Sequence, residues 1–170
     1  MKNIPILLLL LLVFGSDIFP QTKTYDIISY TMPSGWSRAN RSGYRSYTNI
    51  NEGKGTYGLI GIYPSAKSSG SAQKDFASSW NGLVMPYFGT GPAPIPSPVK
   101  KVDGYDELEG SAFGKSQGKQ TTVMLVSYTG GGKTICIIIN YNNFKYDADV
   151  TKFLRSIRLQ SIDTATVKKD

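Results

Sequence analysis

The sequence contains no histidine. That removes the commonest general base, the usual partner of a catalytic serine or cysteine, and the commonest metal ligand. There is one cysteine, Cys136, so no internal disulfide can form and no cysteine-based zinc site can be built. Cys136 sits in the most apolar stretch of the chain, Ile135 to Ile139. A small buried side chain is expected there, because a reactive thiol needs a basic, partly exposed setting. Long apolar runs are also lacking. The N-terminal one, Ile6 to Phe14, is short of the about 20 residues that a membrane span needs.

A nucleotide loop is absent despite a suggestive stretch, "SYTGGGKTICIII". The phosphate-binding pattern is G-x-x-x-x-G-K-[ST] and must open a helix. With Gly132-Lys133-Thr134 as its end, the first glycine falls at Ser127. The residues that follow, Ile135 to Ile139, are mostly β-branched and favour a strand. Thr121 to Tyr128 is a second strand-like run, so the glycines read as the turn of a hairpin.

Paired carboxylates remain as a catalytic option. The one acidic cluster is "VDGYDELEG", with Asp103, Asp106, Glu107 and Glu109. It matches no calcium-loop spacing. On a strand, Glu107 and Glu109 share one face and Asp106 takes the other, as at a solvated sheet edge. No cofactor and no metal ligand set is expected.

Residues 1–20 carry the pattern of a secretory signal peptide: Lys2, then the apolar core from Ile6. No cysteine follows that core, so lipid anchoring is not expected. Export to the periplasm or medium is the expectation, with residues 22–160 as one domain and 161–170 as a flexible polar tail. The formal net charge is +7, and removal of the leader leaves it unchanged. The lysines and arginines are scattered, so the charge reads as solvation. An exported protein seldom meets nucleic acid, and no nucleic-acid partner is expected.

Periodicity supplies the elements. Ile27 to Met32 alternates as a strand, then Pro33-Ser34-Gly35 turns the chain and Trp36 folds back on the core. Gly43 to Ile50 and Thr56 to Tyr63 are strands joined by a turn at 51–55. Phe76, Trp80, Leu83, Val84 and Tyr87 form the apolar stripe of a long helix, capped by Ser69 or Ser71 and ended by Gly89. Pro92, Pro94, Pro96 and Pro98 hold an extended crossover. Short strands at 100–102 and 106–114 precede the glycine hairpin. In Ile135 to Ile139 both faces are apolar, the mark of a central strand covered on both sides. A last helix starts near Asp147, with Val150, Phe153, Leu154 and Ile157 as its stripe.

Pro33, Gly35, Trp36, the Phe76–Trp80–Leu83 stripe and the segment Phe153 to Ile157 carry a resemblance. The order of elements over Tyr25 to Leu159 resembles the PsbP/Mog-type α-β-α sandwich, the group of the PsbP photosystem subunit, the Mog-type Ran-binding proteins and the bacterial periplasmic DcrB family. The resemblance implies an α+β fold: a single-domain α/β/α sandwich, mostly antiparallel sheet with helices on both faces. It also implies a non-enzymatic role in binding or assembly, and it transfers no binding residue. The functional expectation is an exported binding or assembly module of the bacterial envelope, a monomer whose partner is an envelope protein or a small ligand. The alternative is an envelope hydrolase using paired carboxylates. Candidate binding surface comes from Pro92, Pro94 and Pro96 of the crossover, since loops on a rigid scaffold commonly carry binding, and from Tyr44 and Tyr47 among the tyrosine-rich strands.

Overall fold

The structure, a computed structural model, describes residues 21–39 and 41–162. Residues 1–20, where a signal peptide is expected, and residues 163–170 of the tail lie outside these. Eleven strands are formed among the described residues: β1 Thr22–Tyr25, β2 Ile28–Thr31, β3 Ser37–Ala39, β4 Arg45–Asn51, β5 Thr56–Ile62, β6 Ala66–Lys67, β7 Lys100–Val102, β8 Tyr105–Ser116, β9 Lys119–Gly130, β10 Lys133–Tyr141 and β11 Arg158–Leu159. Helix α1 spans Ala72–Ser79, a π-helical turn spans Trp80–Val84, α2 spans Met85–Phe88 and α3 spans Asp147–Ser156.

The main sheet runs β3-β4-β5-β10-β9-β8-β7, with β6 continuing β5 along β10, and every pairing in it is antiparallel. β10 is central, as its two-sided apolar run predicts. Ile135, Ile137 and Ile139 enter the core under α3, while Cys136 and Ile138 enter the core under α1. The glycine stretch makes a hairpin turn: Lys133 pairs with Gly130, and Gly131 (φ 55°) and Gly132 (φ 74°) form a two-residue loop of the left-handed kind that suits a right-twisted hairpin.

One core joins α3 to the sheet. Phe153 (fully buried) meets Tyr30 edge-on at 5.7 Å, and Trp36 meets Tyr146 at 5.8 Å. The Trp36 indole N–H donates to Asp149 at 3.0 Å, which fixes the Pro33–Trp36 turn against α3. The second core packs Phe76 and Trp80 on Leu108, Val123, Leu125 and Ile138. Fully burying one such side chain contributes roughly 1.5–3 kcal/mol.

Two expectations need correction. The strand expected over Ile27 to Met32 forms as β2, but it does not belong to the main sheet. The chain reverses at Asp26, whose φ is 52°, and β1 and β2 pair as a hairpin that β11 extends into a separate three-stranded sheet. Asp tolerates the left-handed region, so a tight turn forms without glycine. The long helix is also not uniformly α-helical. Met85 N–H bonds to the Trp80 carbonyl, five residues back. Pro86 follows; it has no N–H and its ring would strike the carbonyl four residues earlier. The wider turn accommodates it and changes the stripe from Phe76, Trp80 and Val84, all buried, so that Tyr87 emerges 71% exposed rather than packed.

Candidate functional site

The tyrosines in and beside β2, β4 and β5 divide between the two faces of the main sheet. Tyr30 and Tyr47 enter the α3-side core, where their hydroxyls lie 2.9 Å apart. Tyr47 is only 2% exposed, so it supplies no binding surface. Burial, reinforced by the Tyr47 hydroxyl, pushes the Tyr30 phenol well above its ordinary value.

Tyr44, Tyr57 and Tyr63 lie on the opposite face. β4 and β5 pair Thr48 with Leu59 and Ile50 with Tyr57, so these side chains and their two-residue neighbours share that face. Helices α1 and α2 cover it only in part. The uncovered strip is a groove of about 500 Å³ lined by Ser42, Tyr44, Leu59, Tyr63, Leu83, Tyr87, Phe88, Ser116 and Asn140 among others. It adjoins a second hollow of about 330 Å³ that shares Leu59, Ser116 and Asn140 and adds Thr48, Ile50 and Tyr57.

Tyr44 and Tyr63 stack in parallel at 4.6 Å with their planes 9° apart. Gly61 makes room for this. A Cβ there would stand 3.2 Å from the Tyr44 ring and 3.6 Å from the Tyr63 ring. Burial, then the neighbouring Tyr44, Tyr87 and Cys136, pushes the Tyr63 phenol up to about 12, so it stays a neutral donor at neutral pH. The Asn140 amide reaches the Tyr57 hydroxyl at 3.4 Å and Thr121 at 3.3 Å. The π turn and Pro86 place Tyr87 at the rim of the same groove. A helical-spacing argument misses this, because it assumes a constant winding; Pro86 in the sequence is the signal that could have found it.

The prolines stand elsewhere. None of Pro92, Pro94 and Pro96 lines the groove. The crossover is bonded down near its two ends, at Gly91 and Ser97, while Ile95 between them is exposed. Trp80 Nε1 donates to the Gly91 carbonyl at 3.2 Å, and Ser97 N–H donates to the Glu109 carbonyl at 2.7 Å while its hydroxyl accepts from Glu109 N–H at 3.1 Å. Pro94 and Phe76 both press on Gly110, where a Cβ would meet Phe76 at 2.6 Å.

The acidic cluster is spent on pairing. Lys101 binds Asp106 at 2.6 Å, and Lys100 sits between Glu107 at 3.5 Å and Glu109 at 3.4 Å. Glu109, then Glu107, raises the Lys100 ammonium against the opposing effect of partial burial. Asp103 accepts the Leu159 N–H at 2.8 Å and so anchors β11. Glu107 and Glu109 do line a cleft of about 600 Å³ beside α3, but the shared lysine stands between them, where a glycosidase pair leaves room for sugar and water. Cys136 is buried and bonded to Ser79 at 3.1 Å, and burial pushes its thiol up to about 11. Among the described residues no group of three or more His, Cys, Asp and Glu side chains converges, and no helix is long and apolar enough to cross a membrane.

No protein-family model and no curated protein sequence matches this chain. Solved structures do. The Ran-binding protein Mog1p of Saccharomyces cerevisiae superposes with a TM-score of 0.51 at 11% identity, covering 84% of this chain and 97% of its own. The fold is that of Mog1p. LpqN of Mycobacterium tuberculosis, involved in cell envelope biogenesis, superposes with a TM-score of 0.50 at 10% identity, over 78% of this chain and 83% of its own. A Bacteroides thetaiotaomicron structure matches with a TM-score of 0.46 at 14% identity over 79% of this chain, which spans 45% of that structure's length. The Mog1p-type architecture, a mostly antiparallel sheet between helices, is the one that the Trp36 turn and the two helical stripes imply.

Proposed function

We propose that the protein is an exported, non-enzymatic binding module of the bacterial cell envelope and that the tyrosine groove holds its ligand. The observation that carries the reading is the open groove built around the Tyr44–Tyr63 stack. A concave, largely apolar surface with a few placed polar groups is the usual form of a ligand site. The N-terminal segment with Lys2 and its apolar run supports export. The fold shared with Mog1p, which binds Ran, and with LpqN, which acts in envelope biogenesis, agrees with a role in binding.

The test is capture from the native envelope extract on immobilised protein, with mass spectrometry of the small molecules and glycans retained. Wild type retains a discrete ligand; Tyr63→Ala and Tyr87→Ala lose it; the triple change Pro92→Ala, Pro94→Ala, Pro96→Ala keeps it. Retention that depends on the prolines and not on the tyrosines moves the site to the crossover. Turnover of an envelope polymer that Glu107→Gln abolishes replaces the whole reading with the carboxylate hydrolase. N-terminal sequencing of the protein from a cell fractionation checks export.

A further inference from the structure

The groove's lining identifies the kind of ligand, on the basis that the groove is the binding site. The protein carries a net charge of +7, yet the 500 Å³ groove is lined without a single Asp, Glu, Lys or Arg. Charge enters only at the adjoining hollow, with Arg41 and Glu52 in its lining and the Lys119 ammonium close to Gly55. Within the 500 Å³ groove itself an anionic ligand such as a phosphate, a carboxylate or a nucleic acid finds no counter-charge in the lining, and burying its charge unpaired is costly.

The groove is open along its length, with a second hollow continuing it past Leu59 and Asn140. An acyl chain gains most from an enclosed apolar tunnel, and Asn140, Thr48, Ser42 and Ser116 would be poor neighbours for one. A peptide in extended form gains its affinity from a sheet edge. The floor here is a sheet face, and the backbone groups of β4, β5 and β10 are already paired with one another. A peptide backbone would find few partners.

What remains is a neutral, elongated molecule with flat apolar faces and many hydroxyls. Tyr offers a rigid apolar face with a polar tip, and the exposed ring of Tyr87 stands free for stacking. The hydroxyls of Ser42, Thr48 and Ser116 donate and accept together, which suits sugar hydroxyls that do both. We infer that the groove is a binding site for a neutral linear oligosaccharide, with the exposed Tyr87 ring as the stacking platform, the Tyr44–Tyr63 stack as the apolar wall beside it, and the hydroxyls of Ser42, Thr48 and Ser116 as the hydrogen-bonding side.

The experiment titrates the full protein with cellohexaose, chitohexaose, maltohexaose and mannohexaose, with oligogalacturonate as the anionic control, by calorimetry and by amide shifts in nuclear magnetic resonance. At least one neutral hexasaccharide binds, moves the amides of Tyr44, Gly61 and Tyr63, and outcompetes oligogalacturonate. Tyr87→Ala weakens it by about tenfold or more, the scale of one lost contact, while Tyr87→Phe keeps most of the affinity because the ring remains. Tyr87 is exposed, so these variants fold. If no hexasaccharide binds at millimolar concentration, or if Tyr87→Ala binds as tightly as wild type, the glycan assignment is wrong. In that event the envelope capture separates the two readings: a ligand retained from extract and lost with Tyr63→Ala leaves the binding module standing, and no such ligand removes both.

Discussion

The Thr134 hydroxyl donates to the Asp75 carboxylate at 2.6 Å, joining the central strand to the first turn of α1. The same carboxylate accepts the Ser68 hydroxyl at 2.6 Å and the Ser69 N–H at 2.9 Å. One buried acid therefore ties the loop before α1, the helix and β10 together.

Burial alone would raise the Asp75 pKa, but the hydrogen bonds from Ser68, Ser69 and Thr134 outweigh it and hold it at about 2, against an ordinary 3.8. A carboxylate depressed in the folded state stabilises above its unfolded pKa, and that contribution fades as pH falls toward the folded value. The difference corresponds to about 2 kcal/mol. Urea unfolding at about pH 6 and about pH 2 should show Asp75→Asn losing to wild type at the higher pH and closing most of the gap at the lower. A gap independent of pH would mean that the charge is not what the network stabilises.

Tyr47→Phe removes one half of a buried hydroxyl pair. Stability should fall by about 1–2 kcal/mol, since the Tyr30 hydroxyl is left without its partner. Ligand retention should not change, because Tyr47 is on the far side of the sheet. Tyr44→Ala should do the reverse to retention. Equal effects of the two changes on ligand binding would contradict the division of the tyrosines between faces.

Gly131→Ala and Gly132→Ala should each cost roughly 1 kcal/mol, the penalty for a side chain at positive φ, while Lys133→Ala should stay within about 0.5 kcal/mol of wild type. Calorimetry with ATP and GTP should show no binding. Nucleotide binding that disappears in Lys133→Ala would overturn the hairpin reading of this stretch.

Cys136 should resist a thiol reagent in the native protein at mildly alkaline pH and react at once in denaturant, because the thiolate is the reactive form and burial keeps the folded thiol near 11. Rapid native labelling would show that the strand opens locally.

Much of this fold was legible because its signals are local. Ile135 to Ile139 alternate between two cores as written, Ser71 caps α1 by accepting from Lys74, and Gly89 ends α2 at φ 57°. The site was half legible. Period-two alternation separates Tyr44 from Tyr47, yet it cannot say which face a helix leaves bare; the reach of α1 and α2 across the sheet decides that. Asp75 was invisible as a core residue, since its partners lie at Ser68 and at Thr134, 59 positions away. Tyr87 was misplaced because one proline changes the winding of the helix it sits on.

The small sheet has a mechanical meaning. β2 is held by β1 on one side and by β11 on the other, so the first and last strands among the described residues grip the same middle strand. A pull on either end loads these two short ladders first. The long β9–β10 and β5–β10 ladders under the groove lie outside that line of force. Loaded at its two ends, the domain would keep its groove in register while the clamp took the strain.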